Sequence, residues 1–390
     1  MINTIENIDF KGKRVIIRCD LNVPIKNNII LDDTRIISSI KTIKYVLKTA
    51  EKVIILSHLG RIKSEEDKKN NSLKVVCERL EEIIDEKIVF CNYDETIYEK
   101  VKENKIVMFE NTRFFDLDDK KESNNDVELS KFFSSFGDVF INDAFGTCHR
   151  ANASNVGISN FLPTYLGFLI IEEIKMLNIV KDNPKRPFIV IMGGAKVFDK
   201  ITLINKLIDK VDKLIITGAM AFTFFKAKNI NVGKSIVDEG SISFCEKLLN
   251  KYESKIVLPL DIYTGLEIKN DTKKSLRDIN YINNDEIGLD IGPKTLNYFE
   301  NELKDAKTVF LNGPSGMFEF ENFSSGTYGL LKILSNIDAS VIIGGGDSAS
   351  AAKKSGYKFT HISTGGGASL EYIEGKKLPG IEIGVNHEEV

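Results

Sequence analysis

Short β-branched runs alternate with helix-like stretches along almost the whole chain. They fall at residues 15–19, 53–57, 88–91, 106–109 and 139–142, then at 188–192, 214–217, 256–258, 309–311, 341–343 and 361–363. Each run is almost continuously apolar, as strands buried on both faces must be. Between them lie amphipathic segments, so the pattern predicts βαβ units and parallel sheets. Eleven strands crowd one open sheet, whereas two sheets of five or six are ordinary. The expected fold class is α/β, with two doubly wound parallel-sheet domains.

A length of 390 residues suits two domains. The boundary is read between 160 and 187. Residues 166–180 carry apolar positions at helical spacing, Lys181-Asp182-Asn183-Pro184 reads as the end of that helix, and Pro187 precedes a new strand. The expected division is 1–165, a linking helix or hinge at 166–186, and 187–370. The charged stretches 64–71 and 116–126 read as solvated loops.

Composition excludes several classes. Hydrophobic residues make up 42% and charged residues 28%, ordinary globular values, so a collagen, mucin or disordered chain is excluded. A net charge of −3 gives no positive field for nucleic acid. No apolar run approaches membrane-span length, and the first residues, MINTIENIDFKGKR, lack an apolar leader core, so a cytoplasmic protein with no membrane partner is expected. Five cysteines without a CxxC pair and four scattered histidines argue against disulfide frameworks and zinc sites.

Polar and glycine-rich segments start where the predicted strands end, the edge where open parallel sheets bind ligands. In the first half these are Asp20-Leu21-Asn22, His58-Leu59-Gly60-Arg61, Glu110-Asn111-Thr112-Arg113 and Asp143 with His149-Arg150. Five of the nine arginines, Arg18, Arg35, Arg61, Arg113 and Arg150, lie in or near those loops. Scattered surface arginines would satisfy the composition, but five at strand ends suggest a pocket for a small anion carrying phosphate and carboxylate groups.

The second half offers glycine instead: Gly193-Gly194-Ala195-Lys196, Asn312-Gly313-Pro314, Gly344-Gly345-Gly346-Asp347 and Thr364-Gly365-Gly366-Gly367. Glycine loops opening helices let backbone N–H groups reach phosphate oxygens. Lys196 and Lys200, four apart, are expected to share a helix face near its start, where a bound anion would offset their conflict with the helix dipole. Asp347 suits either an N-cap or a single carboxylate on Mg²⁺. Gly233-Lys234-Ser235 lacks the first glycine of a P-loop, and Gly344, Gly346 and Ala349 lack the acid that dinucleotide binding wants further on.

In their order along the chain, RVIIRCDLNVP, SHLGR, ENTRF, INDAFGTCHRA, GGAKVFDKI, DIGPKT, FLNGPSGMFE, IIGGGDSA and STGGGASLEYIEGKKLPG resemble the motifs of the phosphoglycerate kinase family. The resemblance spans nearly the whole chain. It implies two domains facing across a cleft, and a glycolytic transferase that moves a phosphoryl group reversibly between 1,3-bisphosphoglycerate and ADP with Mg²⁺. Asp20 and Asn22 would bind the glycerate hydroxyl and carboxylate region, with His58, Arg61, Arg113 and Arg150 completing the basic pocket. Arg35 would steady the transferring phosphoryl group. Lys196, Lys200, Gly292, Asn312, Glu319, Gly345, Gly346, Asp347 and Ser348 match nucleotide-contact positions, with Asp347 on the metal. Lys200 would follow the moving phosphoryl, and Gly366 within 365–367 would offer N–H groups during transfer. The tail from 371 to 390 would return to the first domain. Asn152, Ile62 and the segment Thr217-Gly218-Ala219-Met220 depart from the common pattern, the last beside the expected adenosine pocket.

That reaction needs no general base, because the acceptor is already an anion, so catalysis is expected from positioning, charge stabilisation and domain closure. A monomer is expected. A nicotinamide-dependent dehydrogenase and a non-catalytic nucleotide-binding module are the rival readings: the first would bind NADH without Mg²⁺, the second would bind MgADP without turnover.

Overall fold

β-branched residues crowd the helical backbone but pack well on a pleated sheet, so runs such as RVIIRC and KVIIL form strands. The computed structural model describes residues 2–385. They divide into two compact units. One comprises residues 2–174 and 377–385; the other is Lys175–Lys376. Met1 and residues 386–390, the end of the expected tail, lie outside the described residues.

The first unit contains β1 (Arg14–Cys19), a small hairpin of β2 (Ile25–Lys26) and β3 (Ile29–Ile30), then β4 (Lys52–Leu56), β5 (Val89–Cys91), β6 (Ile106–Phe109), β7 (Val139–Asp143) and β8 (Thr164–Leu166). Six of these form one parallel sheet in the order β5-β6-β4-β1-β7-β8. Because side chains alternate across a strand, each face has its own core. Val15, Ile17, Val53, Ile55 and Ile141 pack with helices Thr34–Leu47 and Lys74–Ile84. Ile16, Ile54, Val107 and Phe140 pack with Ile97, Leu129 and Phe133 from the other side. Burying each such side chain is worth about 1.5–3 kcal/mol.

The second unit contains β9 (Phe188–Met192), β10 (Lys213–Ile216), β11 (Ile256–Val257), β12 (Asp261–Gly265), β13 (Ser275–Asp278), β14 (Ile287–Ile291), β15 (Thr308–Asn312), β16 (Ser340–Gly344) and β17 (His361–Ile362). Its parallel sheet runs β11-β10-β9-β15-β16-β17, the doubly wound order in which the winding reverses between β9 and β15. Beside it lies an antiparallel sheet, β13-β12-β14.

All eleven predicted strands are present in the two parallel sheets, with ends shifted by a residue or two. Sequence reading missed β8, three residues after Pro163, and the antiparallel sheet, whose β13 reads SLRD without an apolar face. Helix Phe168–Lys181 begins in the first unit and ends in the second. The chain rejoins the first unit at Lys377 rather than at 371; Tyr372 still belongs to the second, its hydroxyl donating to Asn178 Oδ1 at 2.8 Å. Gly380 then docks on the loop after β7: its N–H donates to Cys148 O at 2.8 Å and its carbonyl accepts from Asn142 Nδ2 at 2.8 Å. No helix of the described residues is long and apolar enough to cross a membrane.

Two expectations change here. The stretch 64–71 is not an irregular loop but an exposed helix, Glu65–Asn70, capped by Ser64 Oγ on Asp67 N–H. The stretch 116–126 is only partly solvated. Glu122 is 1% exposed and Asp116 is buried, each held by hydrogen bonds a sequence window cannot show.

Candidate functional site

In the first unit the winding reverses between β1 and β7, and the chain leaving β1 carries Asp20 and Asn22 at that edge. Asp20 is buried, and Arg35, from the first turn of helix Thr34–Leu47, lays Nη1 across both its carboxylate oxygens at 2.9 and 3.0 Å and onto Asn22 O at 3.3 Å. Asn22 Oδ1 accepts from Gly60 N–H at 2.9 Å, and Gly60 O accepts from Arg113 Nη1. Loops from three strands are thus tied into one surface.

Behind that surface sits Arg18, 1% exposed. Its Nε donates to Ser154 Oγ at 2.8 Å, its Nη1 to Cys19 O, and its Nη2 to His58 Nδ1 at 3.1 Å. Glu122 Oε1 lies 3.9 Å from Nη2 and accepts from Thr112 Oγ1 at 3.1 Å, while Oε2 accepts from Ser154 N–H at 3.0 Å. A guanidinium can only donate, so His58 Nδ1 is the acceptor and its proton sits on Nε2. Burial, then the charges of Arg18, Arg113, Arg35 and Arg150, hold the His58 pKa well below its ordinary value. His58 is therefore a neutral donor within a cationic cluster. Burial and the neighbouring Arg18 and Arg150 lower even the Arg113 pKa, the mark of a site built to receive an anion. Arg150 is exposed, its Nε on His149 Nε2 at 3.2 Å, and Arg61 is exposed on the loop beyond Gly60.

In the second unit, Asn312 at the end of β15 accepts from Lys200 Nζ on Oδ1 and donates from Nδ2 to Gly344 O at 2.9 Å. Ser348 Oγ donates to Gly344 O at 2.7 Å and accepts from Gly313 N–H at 3.0 Å. Burial lowers the Lys200 pKa, against the opposing pull of Asp199, Asp347 and Glu374. Gly345 has φ +93°, and a Cβ there would stand 2.6 Å from Asn312 Nδ2, so only glycine turns the chain into helix Gly346–Ser355. No side chain caps that helix, so its first N–H groups face outward beside the exposed Asp347. Gly366, φ +53°, opens the helix Gly367–Ile373 in the same uncapped way.

Lys196 and Lys200 do not share a helix face. Gly194 takes φ +96°, Lys196 is exposed in an irregular stretch, and Lys200 is the N-cap of helix Ile201–Leu207. Asp347 is likewise not an N-cap; Gly345 holds that position. Gly292 lies behind the site: Asp261 fills the space beside it and spends its carboxylate on the N–H groups of Lys294 and Thr295.

An apolar pocket of about 180 Å³ adjoins these groups. Gly194, Gly218, Ala219, Gly288 and Leu289 of β14, Glu319 and Asp347 are among the residues that line it. The Phe222 ring lies against Gly288, where any Cβ would overlap it. Sequence reading placed the motif DIGPKT at the end of β14 but missed the wall formed by Gly288 and Leu289, because Gly288 and Asp290 break the apolar run that marks the other strands. It also missed the pairing of Arg18 with Glu122, 104 positions apart in sequence. Clustering of arginines was the only available signal. Among the described residues no group of three His, Cys, Asp or Glu side chains is placed to hold a metal ion. The chemistry of the site fits a cation held by one carboxylate and by its own ligand's phosphates.

The comparisons with known proteins agree. The family described as Phosphoglycerate kinase matches residues 5–376. The chain belongs to the phosphoglycerate kinase family. The phosphoglycerate kinase of Enterococcus faecalis is 51% identical over 387 residues, covering 97% of this chain and 98% of that one. That of Fusobacterium nucleatum is 50% identical over 393 residues, covering 98% and 99%. The solved phosphoglycerate kinase of Coxiella burnetii superposes with a TM-score of 0.85 at 34% identity, covering 98% and 99%. With phosphoglycerate kinase membership comes the reaction class, phosphoryl transfer with a carboxyl group as acceptor. A dehydrogenase reading is set aside.

Proposed function

We propose that this chain transfers a phosphoryl group reversibly from 1,3-bisphosphoglycerate to ADP, giving 3-phosphoglycerate and ATP, with the two substrates held on different units. The observation that carries the reading is the cationic cluster around neutral His58. A carboxylate and a phosphate on one small molecule would satisfy Arg61, Arg113 and Arg150 together, with Asp20, Asn22 and the His58 Nε2–H fixing the glycerate end. Arg35 is the arginine for the transferring group; its Nη1 rests on both oxygens of Asp20 until substrate arrives.

On the second unit, adenosine occupies the apolar pocket that Glu319 helps to line. The phosphates lie toward Lys196, Lys200, Asn312, Ser348 and the N–H groups of Gly345 and Gly346. Gly292, which follows Asp290 and Ile291 of the pocket lining, is proposed to act through that wall. Asp347 would hold Mg²⁺, which when bound neutralises charge on the phosphate oxygens. Lys200, part-buried and hydrogen-bonded to Asn312, supplies positive charge to the moving group, and Gly366 supplies an N–H.

Neither reactant needs deprotonating, so the protein's work is to bind, orient and exclude water. Since the half-sites belong to separate units, transfer requires closure, for which helix Phe168–Lys181 is the linking element. We place the enzyme in the cytoplasm as a monomer. The test is turnover of 3-phosphoglycerate with MgATP, product drained by a coupling dehydrogenase and NADH. Turnover requiring both substrates and Mg²⁺ supports the reading. A folded chain that binds MgADP without turnover would overturn it.

A further inference from the structure

We propose that a groove on the first unit, built by the segments around residues 93–98, 115–121 and 126–132, is a docking site for an arginine side chain carried by a basic segment of another protein. This goes beyond the phosphotransfer reaction and uses none of its residues.

The floor of the groove is aromatic. Tyr93, Phe115 and Phe132 line it, with ring centroids 4.6 Å apart for Tyr93–Phe115 and 6.3 Å for the other two pairs. The Tyr93 hydroxyl is spent on Glu110 O at 2.6 Å. Tyr98 lines the groove as well, 58% exposed and stacked on Phe136 at 5.0 Å.

The rim is anionic. Asp94, Glu95, Asp126 and Glu128 line the groove together with Lys121, and Lys100 acts on Asp94 from nearby. Asp94 uses Oδ1 for Thr96 and Asp126 uses Oδ1 for Leu129 N–H; neither Oδ2 has a partner among the described residues, and nor has the Glu95 carboxylate. Glu128 meets only Lys131, an exposed pair of little worth.

Charge complementarity calls for a cation, and the packing of the floor decides which. The three rings pack directly against one another at interplanar angles of 58°, 63° and 62°, and the ring that is mostly exposed beside them is Tyr98. A caged quaternary ammonium needs rings on several sides. A planar guanidinium instead stacks on an open aromatic face and forks onto carboxylates at its edge. Uncommitted carboxylate oxygens beside the exposed Tyr98 ring match that shape, whereas a lysine ammonium can sit on a ring face but has no planar fork for the rim.

The experiment titrates the full-length protein with a capped Gly-Arg-Gly-Arg-Gly peptide at about 20 mM salt, where exposed charges are weakly screened. Lysine and citrulline versions serve as controls. The expected result is a Kd below about 1 mM for the arginine peptide, at least about fivefold tighter than for lysine, and loss of binding for citrulline, as fork recognition requires. The doubly substituted Glu95→Gln, Glu128→Gln protein, altered only at exposed positions, is expected to bind at least about fivefold more weakly with kinase turnover unchanged. Tyr98→Ser is expected to reduce the preference for arginine over lysine. Equal affinity for the arginine and lysine peptides, binding indifferent to the Glu95 and Glu128 changes, or no binding at millimolar peptide would each overturn the proposal.

Discussion

Replacing Arg35 by alanine separates a structural from a transition-state role. The Arg35 guanidinium lies across both oxygens of Asp20, whose side chain is 5% exposed, while its own is 30% exposed. Breaking a fully buried pair costs about 3–5 kcal/mol. Part of this pair faces solvent, so the stability cost should be about 1–3 kcal/mol, a fall in Tm of roughly 3–10 °C for a unit of this size. That loss leaves the chain folded at 25 °C. The catalytic cost is larger. An arginine serving phosphoryl transfer is worth about 10³ or more in kcat, or about 4 kcal/mol. The ground-state anion keeps His58, Arg61, Arg113 and Arg150, so KM for 3-phosphoglycerate should change by less than about tenfold. The assay is the coupled turnover measurement at saturating MgATP, beside a thermal melt and an MgADP titration, which reports the untouched second unit. A folded Arg35→Ala protein keeping most of its kcat would refute the assignment. A collapse of MgADP affinity would show that the loss was general damage.

Gly345→Ala should raise KM for MgATP at least about tenfold, because a side chain at φ +93° costs about 1–3 kcal/mol and crowds Asn312, which holds Lys200; steady-state kinetics with nucleotide varied would check it. Asp143, fully buried beside Cys19 and Cys148, has its pKa pushed up to about 7 by burial, despite accepting from Leu169 N–H at 2.9 Å. The folded chain therefore holds this proton more tightly than the unfolded one, and the stability it contributes at low pH is lost as pH rises through about 7. From pH 5 to pH 8 that loss is about 2–3 kcal/mol. Urea melts of Asp143→Asn should show a pH slope smaller by that amount, whatever its absolute stability. All five cysteines are free and buried, and burial pushes the thiols up, to about 11 at Cys91 and about 12 at Cys77 and Cys245. Native protein at pH 8 should therefore show almost no fast reaction with a thiol reagent, and five equivalents after denaturation.

The strands were legible because each sheet is buried on both faces, which forces near-continuous Val and Ile into runs such as VIIRC and FIVIM. The site's edge was legible for a related reason: loops at strand ends are free of packing demands, so Asp20, Arg113 and the glycines of 344–346 stand out from their apolar neighbours. Glu122 was hidden within a charged stretch that reads as solvated, because nothing local distinguishes a carboxylate that will be buried from one that will not. The wall formed by Gly288 and Leu289 of β14 was hidden because Gly288 and Asp290 break the apolar run that marks the other strands.

Sequence alone determined the alternation that makes two parallel-sheet units, the positions of the glycine turns, and the family to which the motifs point. Those properties follow from local chemistry: β-branching, the φ range of glycine and the fork of arginine act wherever the residue stands. Tertiary structure decided which groups meet and in what state. It put Arg18 against His58 and Glu122 and so chose the histidine's proton position. It spent the N-terminal cap beside Gly292 on Asp261, and it separated Lys196 from Lys200 although they are four apart. Charge and hydrogen-bonding state depend on burial and on partners brought from elsewhere in the chain, and those exist only once the sheets have assembled.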